Sequence, residues 1–297
     1  MDSSEALNAG AIVISAAVLG YASLLDWKTR RVPNRFWILL SLAAVIVLLT
    51  RLALDEAPWE FLAILVPIAA VLSDVYLDSG SETRTAKAMP FIKYGIAAVS
   101  TFLLGYLWND DHYFVHLLTI PVMMLVITVL YAFDVIKGGA DAKALMALSI
   151  MFPFMPVVGS MPVIQGSEWY ADVALPFSFG VLVTAAIIVA FLPIAFLVKN
   201  IANRELEFPL ALLGVKMGVG EAKGKFVWLM ERVENGKVVK HARVRGDEDL
   251  NEELRRLETA GRKRVWVTPK IPFIIPMFLG LLFCSVIGNL LLLFLAV

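Results

Sequence analysis

The sequence predicts an all-α polytopic membrane protein of about eight helices, six or seven being the alternative count, with a small α+β insertion before the last helix. Three observations predict it. Of 297 residues, 59% are hydrophobic and 18% charged, with a mean hydropathy of +0.78, well above the usage of a water-soluble domain. Apolar runs of roughly 20 residues recur, the length that crosses about 30 Å of hydrocarbon at about 1.5 Å per residue. The basic residues fall in alternate connecting segments, as the positive-inside rule requires of a chain that crosses repeatedly.

Taken in order, the apolar runs place spans at 8–26, 35–54, 60–77, 89–108, 114–135, 141–157, 173–198 and 271–296. The first basic segment holds Lys28, Arg30, Arg31 and Arg35; the second Arg84 and Lys87 with Lys93 just beyond; the third Lys137 and Lys143. Every basic residue from Lys199 to Lys270 falls in the fourth, and Arg51 is the one exception to the pattern. Both termini are then expected on the extracytoplasmic side. Met1 to Glu5 lacks the basic region of a secretory signal, so the first run is read as a retained helix. The third and fourth spans are the least regular, because the stretch from Leu72 to Lys93 carries Asp74, Asp78, Glu82 and a proline.

Residues 1–198 thus read as a membrane helical domain, 199–270 as a cytoplasmic α+β subdomain and 271–297 as a C-terminal transmembrane helix. Within the subdomain, Phe226 to Glu231 and Lys237 to Val244 read as strands joined by a turn at Asn235-Gly236, a strong hairpin signal. Asp247 to Glu258, with leucines at 250, 254 and 257, reads as a short amphipathic helix, and Arg264 to Thr268 as a third strand. So short a unit is expected to lean on the membrane body or the headgroup surface.

Charge is balanced at 26 basic and 26 acidic residues, which gives no overall field for nucleic acid. The single cysteine, Cys284, excludes an internal disulfide, a four-cysteine zinc site and a redox pair. His112, His116 and His241 have no ligand-like partners at metal spacing, so no metal is expected.

Chemistry is left to the carboxylates near helix ends, which are costly at a membrane unless paired, solvated or used. Asp26 ends the first span and Asp141 opens the sixth. Either alone would pass for a helix cap or an interfacial residue. The charge pattern, however, puts both at one membrane face, where two carboxyls sharing a proton can act as general base and general acid on a water. Gly138 and Gly139, lacking Cβ atoms, permit a sharp turn and close approach before Asp141. The helix dipoles favour the anion at Asp141 and the acid at Asp26, so Asp141 is expected to be mainly the base. Asp74, Asp78, Glu82 and Asp134 read as a solvated interfacial face, with attraction of a basic peptide as the other reading.

Asp26 followed by Arg31-Val32-Pro33-Asn34, together with Gly138-Gly139-Ala140-Asp141 and the succeeding Ala142-Lys143, resembles the GxGD membrane aspartic proteases of the type IV prepilin peptidase group. The archaeal preflagellin (prearchaellin) peptidases are the most similar branch. Ala140 stands where the motif has its second glycine, and eight spans exceed the number that the family implies. The resemblance implies Asp26 and Asp141 as the catalytic pair, with Gly138, Gly139, Ala140, Pro33 and Asn34 as supporting motif. It implies cleavage of a short basic leader from archaellin or pilin-like precursors at the cytoplasmic face of an archaeal cell membrane, with no metal or organic cofactor. The bacterial type's cysteines and methyl-donor glycine motif are missing, so N-methylation is not expected.

Two rival readings differ in checkable ways. A proton-coupled transporter would place its acids near mid-membrane, in helices interrupted in two related halves, and no internal repeat is visible. A presenilin-like intramembrane protease shares the two-aspartate logic, yet Phe208-Pro209-Leu210-Ala211-Leu212 lacks that family's Pro-Ala-Leu order.

Overall fold

The computed structural model describes residues 2–77, 84–166, 169–242 and 249–295, and the side chains of these except 84–87 and 294–295. Asp78, Glu82, Val244 and Asp247 lie outside the described residues, as do the side chains of Arg84 and Lys87. The chain forms two compact units, Met1–Ala186 with Pro272–Val297, and Ile187–Ile271.

In the first unit, α1 (Ser3–Thr29) starts earlier than the apolar run because Asp2 caps it, its carboxylate accepting from Glu5 N at 2.6 Å. It ends where Arg30 turns left-handed at φ 56 and Pro33 bars helix before α2 (Asn34–Leu54). A 3₁₀ turn at Trp59–Ile64 leads into α3 (Leu65–Leu77), followed by α4 (Arg84–Leu107) and α5 (His112–Ala132). Asp111 caps α5, its carboxylate accepting from Phe114 N at 3.0 Å. Then come α6 (Gly139–Met151), α7 (Trp169–Ala174) and α8 (Phe177–Ala190). α1 packs on α2 and α5 on α6, while α2 lies along α6 and α3 on α4. On α6, Ala142 and every residue from Ala144 to Met151 are buried, which makes it the centre of the bundle.

Among the described residues, six segments are long and apolar enough to cross a membrane: Ser3–Thr29, Asn34–Leu54, Trp59–Leu77, Ala88–Leu107, His112–Ala132 and Phe177–Ala202. The third and fourth expected spans are therefore present. Two of the eight expected runs take another form. α6 has 13 residues, about 20 Å at 1.5 Å per residue, because Pro153 pushes Phe152 to an extended φ of −129° and closes the helix. Irregular backbone follows, with Val158 bridged to Met161. The last run is likewise split into α13 (Ile274–Val286) and a final turn at Leu292–Leu295. Gly288 adopts φ +107, and Val163 and Ile164 donate to the carbonyls of Val286 and Ile287 at 3.1 and 2.7 Å. A Cβ at Gly288 would collide with the Ile164 carbonyl, so no other residue makes this turn.

α13 also crosses α8 closely, since a Cβ at Gly280 would lie 2.9 Å from the Val181 carbonyl oxygen and 3.4 Å from Ala185 N. Both are backbone atoms that cannot swing away. Gly280→Leu is expected to lower stability by about 1–3 kcal/mol, read as a lower thermal unfolding midpoint in detergent.

The second unit begins with the end of α8 and α9 (Leu192–Ala202), kinked at Phe191 ahead of Pro193. It continues through α10 (Leu210–Leu213), β1 (Val215–Gly218), α11 (Val219–Ala222), β2 (Val227–Leu229), β3 (Glu231–Glu234), β4 (Lys237–Lys240), α12 (Leu250–Thr259) and β5 (Arg264–Pro269). The Asn235-Gly236 turn forms as expected, both residues having positive φ, and joins β3 to β4. The strand expected over 226–231 is divided. Val227–Leu229 pairs with β5 and Glu231–Glu234 with β4, while Met230 N donates to Trp266 O at 2.9 Å and its carbonyl accepts from His241 N at 2.8 Å. β1, which the sequence reading lacked, pairs antiparallel on the other edge of β5. Val215, Met217, Leu229, Leu254, Leu257, Val265 and Val267 form the core.

Glu207 accepts from Lys240 Nζ and from Trp266 Nε1 at 3.2 Å. The lysine hydrogen bond first of all holds its carboxyl below the ordinary glutamate value of 4.5, against a smaller opposing effect of burial. A carboxyl lowered on folding adds stability above its unfolded value and loses it as pH falls through the folded one. Lys240→Met is therefore expected to remove part of the acid sensitivity of this unit, read by hydrogen exchange along β5 as pH is lowered through 4.5.

Candidate active site

Asp26 lies in the last turn of α1 and continues the stripe Ala11, Ser15, Leu19, Ala22 and Ser23, buried at helical spacing along the face turned into the bundle. Its side chain is half-buried. Arg30 closes the helix, its N–H donating to Asp26 O at 3.0 Å, and its guanidinium lies within electrostatic reach of the Asp26 carboxyl.

Asp141 is the third residue of α6, which Gly138 caps in extended conformation, its carbonyl accepting from Ala142 N at 3.1 Å. The carboxyl folds back over that glycine. A Cβ at Gly138 would stand 2.8 Å from Asp141 Cγ and overlap Oδ2, so the absent side chain makes room for the acid itself. The Tyr131 hydroxyl is 3.5 Å from the corresponding position at Gly139, an ordinary contact. Ala140 is within the helix and packs against the core, a position that asks for no glycine.

The two carboxyls come from helices that meet, and the charge of Asp26 acts on Asp141. Among the described residues no hydrogen bond joins them. Pro33 caps α2 with φ −61 and ψ 140, and Asn34 opens that helix. Asn34 Oδ1 accepts from Lys143 Nζ at 2.9 Å, which links the segment after Asp26 with the segment after Asp141.

Beside this turn lies a cavity of about 260 Å³, bounded by Asp74, Tyr94, Thr128, Tyr131, Gly139, Ala142 and Lys143 among others. Asp74 pairs with Lys93 at 3.4 Å, and Lys93 also donates to Ser73 O at 3.1 Å. The Tyr94 hydroxyl faces both Asp74 and Thr128. Asp134 is exposed in the left-handed turn after α5 and is not part of the lining. A larger groove of about 340 Å³, walled by Val115, Leu118, Val122, Val126 and Phe179, has no titratable side chain in its lining and offers nothing for proton transfer.

The histidines are engaged elsewhere. His112 stacks on Trp169 with ring centroids 3.9 Å apart, His116 on Phe154 at 5.1 Å, and His241 faces Glu234 at 3.1 Å. Among the described residues no three His, Cys, Asp or Glu side chains gather as metal ligands would. Tyr76, Tyr94 and Tyr131 were not legible as site neighbours in the sequence. The one signal was Thr128 and Tyr131 at a spacing of three, which puts both on one helix face.

Residues 206–290 match the family model described as Archaeal Peptidase A24 C-terminus Type II. The chain is 30% identical over 162 residues to a preflagellin peptidase of Methanocaldococcus jannaschii, covering 51% of this chain and 63% of that protein. It is 30% identical over 159 residues to a preflagellin peptidase of Methanococcus maripaludis, covering 51% and 64%. A third preflagellin peptidase, from Methanococcus voltae, is 23% identical over 235 residues, covering 76% and 96%. The chain thus resembles archaeal preflagellin peptidases, and the alignments to the first two span somewhat under two thirds of those proteins' lengths.

Proposed function

We propose that this chain is a membrane aspartic endopeptidase that removes the short basic leader of archaellin or pilin-like precursors at the cytoplasmic face of an archaeal cell membrane. The observation that carries the reading is the placement of Asp26 and Asp141 on helices that contact each other though distant in sequence, with the charge of Asp26 acting on Asp141 and a polar cavity lined by the turn that holds Asp141. The preflagellin peptidase relatives supply the substrate class. The alternate-loop lysines and arginines supply the face, with residues 199–270 as a cytoplasmic subdomain.

In this reading the carboxyls share one proton and hold a water between them. The carboxylate takes a proton from the water as oxygen attacks the scissile carbonyl, and the carboxylic acid donates to the carbonyl oxygen. Collapse of the tetrahedral diol returns a proton to the leaving amine, so two carboxyls complete the cycle without a metal or organic cofactor. Gly138 makes room for Asp141, Gly139 and Ala140 start its helix, and Pro33 and Asn34 start the helix after Asp26. Because a coupled pair titrates as a unit, which member serves as base belongs to a microstate of the pair, which site-resolved carbonyl spectroscopy would read.

Purified protein incubated with a detergent-solubilised precursor bearing a Lys/Arg-Gly leader is expected to yield one product that begins at the leader junction, identified by mass spectrometry. Inactivity across several such precursors would remove the peptidase reading and bring forward the proton-coupled transporter.

A further inference from the structure

Asp26 and Asp141 are each followed by a residue that takes part in one contact: Asn34, eight positions after Asp26, and Lys143, two after Asp141. The Lys143 ammonium donates to Asn34 Oδ1 at 2.9 Å and lies 5.7 Å from the centroid of the Tyr76 ring on α3. The Tyr76 hydroxyl shares a hydrogen bond of 3.0 Å with Ser41 Oγ on α2. One amine is thus gripped by the start of α2 and by a ring that is itself tied to α2, while its own backbone belongs to the first turns of α6.

α6 packs along α2 and α5 and only lightly on α1. The position of Asp26 relative to Asp141 therefore depends on how the turn from Arg30 to Pro33 delivers α1 to α2, and on how the start of α2 is registered against α6. Lys143 bridges those two helix starts. A charged donor makes a stronger hydrogen bond than a neutral one, and its four-carbon stem reaches across the gap.

We propose that Lys143 is a positioning residue, whose hydrogen bond to Asn34 and seat on Tyr76 set the separation of the two catalytic carboxyls. The activity part of its test rests on the peptidase reading above; the distance part does not.

The variants are Lys143→Met, which keeps the stem, Asn34→Ala, which removes only the acceptor, the double variant and Lys143→Arg, which keeps the charge. In a Cys284→Ser background, which removes the single cysteine, nitroxides at Lys28→Cys and Lys137→Cys, both exposed, report the spacing of the two segments. Each single variant is expected to lower kcat about 30-fold with KM changed less than about 2-fold, and the double no further than the worse single, as coupled residues require. Lys143→Arg regains part of the rate. Dipolar spectra broaden for Lys143→Met and Asn34→Ala alike. Losses that multiply in the double variant, or a nitroxide distance distribution unmoved in both single variants, would overturn the proposal. Should Lys143→Met fail to fold, Asn34→Ala decides by the same distances. A wild-type protein inert toward every precursor would sink the peptidase reading, while the distances still judge the latch.

Discussion

Asp26→Asn and Asp141→Asn are each expected to cut precursor processing by about 10⁴-fold or more, and the double variant to be scarcely worse than either single, because groups that act as one catalytic unit do not contribute additively. Asparagine keeps the shape of aspartate and removes the ionisable proton. A pair that must supply a base and an acid in the same step fails when either member is lost. Both positions are half-buried near helix ends, so the fold tolerates the amide, and an unchanged unfolding midpoint in detergent would separate lost chemistry from lost structure. Residual processing in Asp26→Asn near the wild-type rate would mean that Asp141 has another partner.

Gly138→Ala is expected to cost about 100-fold in kcat, the scale on which a misplacement of about 1 Å acts in an active site. The added methyl would stand 2.8 Å from Asp141 Cγ, so the carboxyl has to rotate off its place above the turn. Gly138 has φ −100, which alanine adopts freely, so the loss comes from the displaced acid and not from backbone strain. Gly139→Ala is the control. Its methyl would meet only the Tyr131 hydroxyl at 3.5 Å, and it sits at a helical position, so a loss of a few-fold at most is expected. Equal effects at the two glycines, by single-turnover kinetics, would refute the assignment of Gly138 as the space for Asp141.

Membrane character, the order of the long spans and the α+β unit before the last apolar run follow from composition and periodicity alone, whereas the number of long spans does not: eight runs were expected and six of them, among the described residues, form long apolar segments. These are properties of local chain: a run of apolar residues buries itself in hydrocarbon wherever it stands, and Asn235-Gly236 turns whatever surrounds it. The two aspartates, whose catalytic role is the proposal made above, stand out in the sequence because each sits in a short local motif next to a helix end. Other features depend on neighbours far along the chain. The sixth and eighth runs become shortened helices because Pro153 and Gly288 admit irregular backbone, which is stable only where protein, not lipid, satisfies it. Residues 226–231 divide between two sheets because β5 and β4 compete for one strand, a choice made by pairing and not by propensity. The polar cavity beside Asp141, its tyrosines and the bond from Lys143 to Asn34 join residues up to 109 positions apart, a distance at which no sequence period carries a signal. The sequence by itself singled out the residues proposed to do the chemistry; tertiary packing decided which of them lie near one another, because only the folded bundle brings the end of α1 and the starts of α2 and α6 together.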